Sequence, residues 1–311
     1  MNTPDTCLQR VDFSPEPPGL GTLEREARFY ATVHGRDGSR STASSLLPRV
    51  RRYDPHRQVL ALELVPHAET IAERHARSGD GPGELAALLG TSLGTLHSEL
   101  PARLSDGPLV SVLPRSPPWT LMLHRTGTGH LHALGGPIAA FADFLARMPQ
   151  LIALLAPLER HWLPDTFVHG DLRWDNCLAV VEAGAPALKF IDWELIDIGD
   201  GAWDVGTILK EHLVADLVSR PVGPTELSPN RRRIHEFLGA YLTSRGLAGS
   251  MQGAALLARA VPYAGAQLVG SALEYAVAAG RVDDRAQQLL FLSGAILSQP
   301  AWARSSLFAL E

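Results

Sequence analysis

Lysine is all but absent from this chain. Lys189 and Lys210 stand against 26 arginines in 311 residues. Any role in the first 188 residues that calls for an ammonium therefore falls to another cation. Cysteine is scarce as well. Cys7 and Cys177 lie far apart and build no disulfide framework, which fits a reducing, cytoplasmic setting. A basic excess is missing too: the formal net charge is -5, no footprint for nucleic acid or an anionic membrane surface. No uninterrupted apolar run reaches about 18 residues, so no membrane-spanning helix is expected. The opening MNTPDTCLQR has no apolar signal core. No G-x-S-x-G elbow occurs, which leaves a hydrolase reading without its nucleophile. Neither an internal repeat nor a long low-complexity tract interrupts the chain.

What remains is ordinary globular composition, 45% hydrophobic and 20% charged, with length for two lobes. Residues 6–13 (TCLQRVDF) read as a short strand and 14–21 as a Pro/Gly loop. Thr22 is placed as the N-cap of a helix over LEREARFYATV, with acids in its first turn. Residues 34–45 read as a flexible connector. LLPRVRRY and RQVLALELV follow as strands joined by Asp-Pro-His-Arg, a hairpin pattern. Beyond Pro66 the periodicity turns helical, with Leu85, Leu88, Leu89, Leu93 and Leu96 on one face. Two short helices fall within 137–161, then strands at 177–181 and 187–191. From Trp203 on the chain is helical, with breaks at 220–229, 246–250 and 280–283. The expected fold class is α+β, with a small β-rich lobe over 1–65 and a large helical lobe over 66–311. That second lobe carries a β-hairpin in its middle.

Around that hairpin the chain crowds polar residues beside apolar strands. Residues 168–176 read VHGDLRWDN and residues 190–194 read FIDWE. Asp192 closes the second strand, and the hairpin brings it beside Asn176 at the end of the preceding loop. An amide oxygen and a carboxylate at a strand mouth are hard ligands suited to Mg2+, which takes its remaining ligands from water and phosphate. Asp171, five residues before Asn176, then faces an acceptor hydroxyl and takes its proton. A lone Asp or Asn in a loop is usually a turn former; it is the joint spacing that gives these three a chemical reading. Arg173 and Asp175 are candidates for contact with substrate or phosphate, with solvation the better reading for Asp175. Trp174 and Trp193 read as packing residues, and Asp197 and Asp200 as structural flanks of a glycine turn. His130 and His132 in GHLH have no third ligand nearby.

HGDLRWDN, FIDWE and GDGAWDVG, in that order and spacing, resemble the aminoglycoside phosphotransferase family. The resemblance spans nearly the whole chain and implies a bilobal protein-kinase-like fold and an ATP- or GTP-dependent phosphotransferase with Mg2+. It assigns Asp171 as the catalytic aspartate and Asn176 and Asp192 as metal ligands. It makes Asp204 the buried aspartate that caps a helix and braces the catalytic loop, and His169 the loop histidine that holds the backbone of the metal-binding turn. It also implies a small-lobe Lys paired with a helix Glu. Glu26 is the helix acid, ahead of Glu24. Arg10, sixteen residues upstream of Glu26, stands in for the missing Lys, with a fork longer and differently directed than an ammonium. The hinge falls near Leu62-Glu63-Leu64-Val65, where backbone groups of Glu63 and Val65 meet the base.

Only nine residues precede Arg10, whereas a hairpin bearing a phosphate-covering loop needs roughly 12–15. The nucleotide lid is therefore expected to be absent or shortened, and a protein partner completing the small lobe is one reading of that. Residues 230–311 hold eight arginines and five acids, a net of about +3, the wrong sign for a polycation. The expected acceptor is therefore neutral or acidic: a small-molecule hydroxyl, or Ser/Thr in a peptide such as a natural-product precursor. The alternative is a kinase-shaped module that binds a peptide or partner without transferring phosphate.

Overall fold

The computed structural model describes residues 21–35, 41–78, 85–104, 109–182, 184–219 and 231–310. The strand read at 6–13, and Arg10 with it, lies outside them. Helix α1 is Thr22–His34; Gly21 takes the cap position and Thr22 is its first helical residue, one residue from the expected start. Glu26, Ala27, Phe29, Tyr30 and Val33 form its buried face, the spacing of an amphipathic helix. The connector at 34–45 is not wholly irregular. Helix α2, Thr42–Ser45, is closed by a capping box between Ser41 and Ser44, a device too short to leave a periodic signal.

Strands β1 (Val50–Asp54) and β2 (Val59–Leu62) pair antiparallel with Asp54 opposite Val59. Asp54 Oδ1 accepts the N–H groups of His56 and Arg57, both at 3.1 Å. The expected Asp-Pro-His-Arg turn is therefore built by its own aspartate. A second sheet runs β3 (Glu69–Thr70), β5 (Cys177–Glu182), β6 (Ala185–Phe190), all antiparallel. A third pairs β4 (Thr166–Val168) with β7 (Asp197–Gly199). β3 and β7 have two and three residues, too few to show alternation in sequence.

The helical lobe comprises α3 (Ile71–Ser78), α4 (Ala86–Leu104), α5 (Trp119–Thr126), α6 (Gly129–His132), α7 (Gly136–Ala146), α8 (Pro149–Ala153), α9 (Ala156–Arg160), α10 (Gly201–Ser219), α11 (Arg231–Ser244), α12 (Met251–Ala279), α13 (Asp284–Ser298) and α14 (Pro300–Trp302). The expected breaks at 246–250 and 280–283 end in proper caps: Ser250 accepts from Gly253 N–H and Asp283 from Ala286 N–H. Close helix contacts run over glycines. A Cβ on Gly90 of α4 would lie 2.1 Å from the Phe237 carbonyl oxygen of α11, and one on Gly206 of α10 would lie 2.9 Å from that of Ala260 in α12. Among the described residues no single helix is long and apolar enough to cross a membrane.

Candidate active site

The buried strand β4 delivers the chain to His169, Gly170 and Asp171. Gly170 has φ +84°, and a Cβ there would meet the Leu195 carbonyl oxygen at 2.8 Å, so the turn before Asp171 admits only glycine. His169 is fully buried. Its Nε2 faces the Ile191 carbonyl oxygen at 2.8 Å, and its Nδ1 lies 3.3 Å from the Asp171 N–H. A carbonyl accepts and an amide N–H donates, so Nε2 carries the proton and Nδ1 is an acceptor. With both nitrogens engaged, His169 ties its own loop to the residue that follows β6.

Asp204 braces the same loop from α10. Its carboxylate accepts from His169 N–H (2.7 Å), Gly170 N–H (3.1 Å) and His97 Nε2 (3.1 Å). His97 Nδ1 meets the Tyr241 hydroxyl at 2.9 Å. The cap attributed to Asp204 belongs to another residue. Asp204 sits inside the first turn of α10, one turn past the helix start, whereas Asp200 accepts the Ala202 N–H at 3.0 Å. Asp200 also holds Arg259 through Nε (2.7 Å) and Nη2 (3.0 Å) and accepts the Tyr263 hydroxyl (3.1 Å).

The loop then turns into the β5–β6 ribbon. Cys177 pairs with Phe190, and Ile191 N–H donates to the Asn176 carbonyl oxygen at 3.1 Å. Asn176 and Asp192 therefore flank the mouth of one ribbon, as its register requires. Asn176 Nδ2 donates to the Asp171 carbonyl oxygen (2.8 Å) and lies 3.4 Å from Asp171 Oδ2, which turns the amide oxygen the other way. Asp192 has φ +65°, a left-handed conformation that a non-glycine residue keeps where its surroundings impose it. An amide oxygen and a carboxylate fixed at neighbouring positions suit a hard divalent cation.

Helix α1 closes on this ribbon. Glu26 is buried, and its Oε1 accepts the Trp193 N–H at 3.0 Å. Burial pushes its carboxyl up to about 7, with Asp192 and Glu194 acting the same way against the Trp193 hydrogen bond. Glu24 instead faces solvent and pairs with Arg28 at 2.6 Å, so Glu26 is the inward acid of the two. Phe29 stacks on Trp193 with centroids 4.4 Å apart, and the His169 ring lies 4.5 Å from the same indole. Trp193 thus joins α1 to the loop that begins at His169. Glu63 and Val65 lie on the connection from β2 to β3. Glu63 N–H donates to the Arg49 carbonyl oxygen at 2.8 Å, so any contact it makes with a base uses its carbonyl.

Four partners were not legible in the sequence: His97, Tyr241, Glu211 and Glu274, each from a helix distant in the chain. The buried indole of Trp174 lies edge-on to His75 (5.2 Å) and His212 (5.0 Å), and the backbone N–H of Trp174 donates to Glu211 Oε2 at 3.3 Å. Asp175 is exposed. Arg173 lies between Asp171 (Nε to Oδ2, 3.3 Å) and Glu274 of α12 (Nη1 to Oε2, 3.1 Å). Burial alone would lower its pKa, but Asp171, Glu274, Glu211 and Asp175 together hold it above the ordinary arginine value. Both lysines are engaged, Lys210 with Glu211 and Lys189 with the Ser45 carbonyl oxygen (2.6 Å) and Glu182 (2.7 Å).

The phosphotransferase enzyme family model matches residues 11–269. This chain belongs to that family. Its relatives in fold are kinases. A choline/ethanolamine kinase family protein from Mesorhizobium loti superposes with a TM-score of 0.52 at 18% identity, over 91% of this chain and 80% of that one. An ethanolamine kinase from Plasmodium vivax gives 0.55 at 14% identity, over 92% and 74%. A choline kinase from Streptococcus pneumoniae gives 0.52 at 14% identity, over 87% and 80%. These likenesses establish the kinase-like α+β fold. No curated protein matches the sequence.

Proposed function

We propose that this phosphotransferase moves the γ-phosphoryl group of ATP or GTP onto the hydroxyl of a small molecule. The carrying observation is the Asp171–Asn176 contact at the mouth of the ribbon that also presents Asp192. In this reading the acceptor oxygen bonds to the γ-phosphorus while the bond from that phosphorus to the β-bridging oxygen breaks. The hydroxyl proton passes to Asp171, and the nucleoside diphosphate leaves. Asn176 and Asp192 would hold Mg2+, which when bound neutralises charge on the phosphates. The base would meet the backbone of Glu63 and Val65, and Glu26 would keep α1 seated on the metal-binding turn.

The charge of the acceptor is a local matter. The net of about +3 over 230–311 favoured a neutral or acidic acceptor, but several of those arginines are engaged elsewhere. Arg259 holds Asp200, Arg232 pairs with Glu236, Arg231 donates to the Ser306 carbonyl and Arg245 to that of His97. Among the described residues, one side chain of that segment that does meet the loop is an acid, Glu274. A summed charge is therefore a poor guide to the field an acceptor meets, and we leave the class at small-molecule alcohols.

The test is transfer from MgATP or MgGTP to a panel of cationic, neutral and anionic alcohols. Asp171→Ala should lower transfer roughly 10²–10⁴-fold and leave nucleotide-dependent thermal stabilisation in place. Transfer that survives Asp171→Ala would remove Asp171 from its role. A wild-type chain that binds neither nucleotide would remove the reading itself.

A further inference from the structure

Arg173 has no part in the reaction as drawn so far, yet it lies against the catalytic carboxylate. Phosphoryl transfer spreads negative charge over three equatorial oxygens, and a protein accelerates it by placing cations where that charge develops. The lysines cannot serve as they stand, being committed to Glu211 and to Ser45 and Glu182. Arg173 is different. Nη1 is anchored on Glu274, while Nε is buried beside Asp171 Oδ2 without a hydrogen-bond acceptor. A buried donor left unmade is costly, and a guanidinium whose fork is half used has an N–H edge to offer an incoming oxygen. Its side chain keeps 28% of its surface, and the loop holds it two residues from the aspartate that receives the acceptor.

We propose that Arg173 is a further catalytic residue: its guanidinium contacts the transferred phosphoryl group in flight, and Glu274 is the positioning residue that holds it there. This rests on the phosphotransferase reading above and adds a side-chain cation to the Mg2+ of that reading. It also gives the Arg173–Glu274 pair a purpose. A carboxylate on α12 keeps the fork from closing fully over Asp171, so the base stays open to the acceptor. An Arg-to-Lys change is not conservative in such a role, because a planar fork matches the oxygens of a planar group and a point charge does not.

A transition-state mimic tests this without knowledge of the acceptor. Affinity for Mg2+·ADP is measured with and without fluoroaluminate, an anionic mimic of the moving group, and the ratio of the two affinities is compared between chains. The wild type should bind at least about tenfold tighter with fluoroaluminate, since mimics of a transition state gain from contacts made only there. Arg173→Ala should bring the ratio within about threefold of unity. Arg173→Lys should fall between and serves as the second variant should the alanine chain not fold. A purely structural arginine would weaken both complexes alike and leave the ratio unmoved. Arg232→Ala, on the exposed pair with Glu236, is the control and should keep the wild-type ratio. Wild-type ratios in both Arg173 variants overturn the inference, as does a wild type that gains nothing from fluoroaluminate. Absence of Mg2+·ADP binding in the wild type would instead strike the phosphotransferase reading.

Discussion

At the scale of single residues, the loop from His169 to Asn176 is held by buried hydrogen bonds. Asp204 satisfies two buried backbone N–H groups and one imidazole, and His169 uses both ring nitrogens on the backbone. His212 is a buried imidazole of another kind, packed on the loop's Trp174. Burial lowers its pKa from 6.5 to about 3, with the positive neighbours Arg233 and His75 adding to the effect. Between those values the unfolded chain takes up a proton that the folded chain refuses. The neutral form is therefore compatible with the fold above pH 6.5, and stability is lost as the pH falls below it, by up to about 1.4 kcal/mol per pH unit. His212→Leu removes this titration. Urea unfolding of both chains should show the variant gaining about 2 kcal/mol on the wild type between pH 6.5 and pH 5. A gap that stays constant across that range would place the imidazole in water.

At the scale of elements, glycines decide how closely helices approach. Gly90 and Gly94 of α4 face α11, where a methyl at Gly90 would sit 2.1 Å from a backbone oxygen that cannot yield as a side chain could. Gly239 of α11 has nothing within 4 Å of its Cβ position. The same substitution should therefore act with opposite signs. Gly90→Ala should destabilise by about 3 kcal/mol through overpacking, whereas Gly239→Ala should stabilise by about 0.5–1 kcal/mol through reduced backbone entropy. Thermal melts of the two variants check it; a neutral Gly90→Ala would mean the helices can part without cost. The elements legible in sequence follow the same division between local and distant causes. The hairpin at Asp54, the β5–β6 ribbon and the breaks before α12 and α13 are written in turn and cap residues close to where they act. β3 and β7 carry no such signal, because two or three residues become a strand only when a distant partner supplies the hydrogen bonds. The site divides likewise. That Asn176 and Asp192 flank one ribbon mouth was readable because the ribbon's register fixes it, and Asp171 reaches Asn176 across a short local loop. His97, Glu211 and Glu274 were not, since helix packing brings them to the loop and one sequence does not encode which helix faces which. Glu26 was singled out by its place in α1; its bond to the Trp193 N–H carried no signal in the sequence, and the pairing expected with Arg10 lies outside the described residues.

At the scale of the whole molecule, the first 65 residues meet the rest of the chain at several points, with Glu26 and Phe29 of α1 on Trp193, the Leu46 carbonyl oxygen on the Phe190 N–H and Glu99 on the Ala43 N–H. Trp193 is the residue after Asp192, so the proposed cation site and the lobe junction share one short stretch of backbone. A ligand gripping Asp192 should therefore stabilise the junction as well as fill its own site. Mass action sets the size: a ligand at 100 times its Kd adds about 2.7 kcal/mol to the folded state. For a chain of this size that is a rise in Tm of about 4 °C. ATP with Mg2+ should give the larger shift and ATP with EDTA a smaller one, because without the cation the triphosphate meets the carboxylates of Asp171 and Asp192 bare. Asp192→Asn keeps an oxygen donor but removes the charge that a divalent ion requires. It should therefore retain the EDTA shift and lose the Mg2+-dependent increment. Equal shifts for wild type and variant with Mg2+ would mean that the cation is held elsewhere, and that the ribbon mouth serves the fold alone.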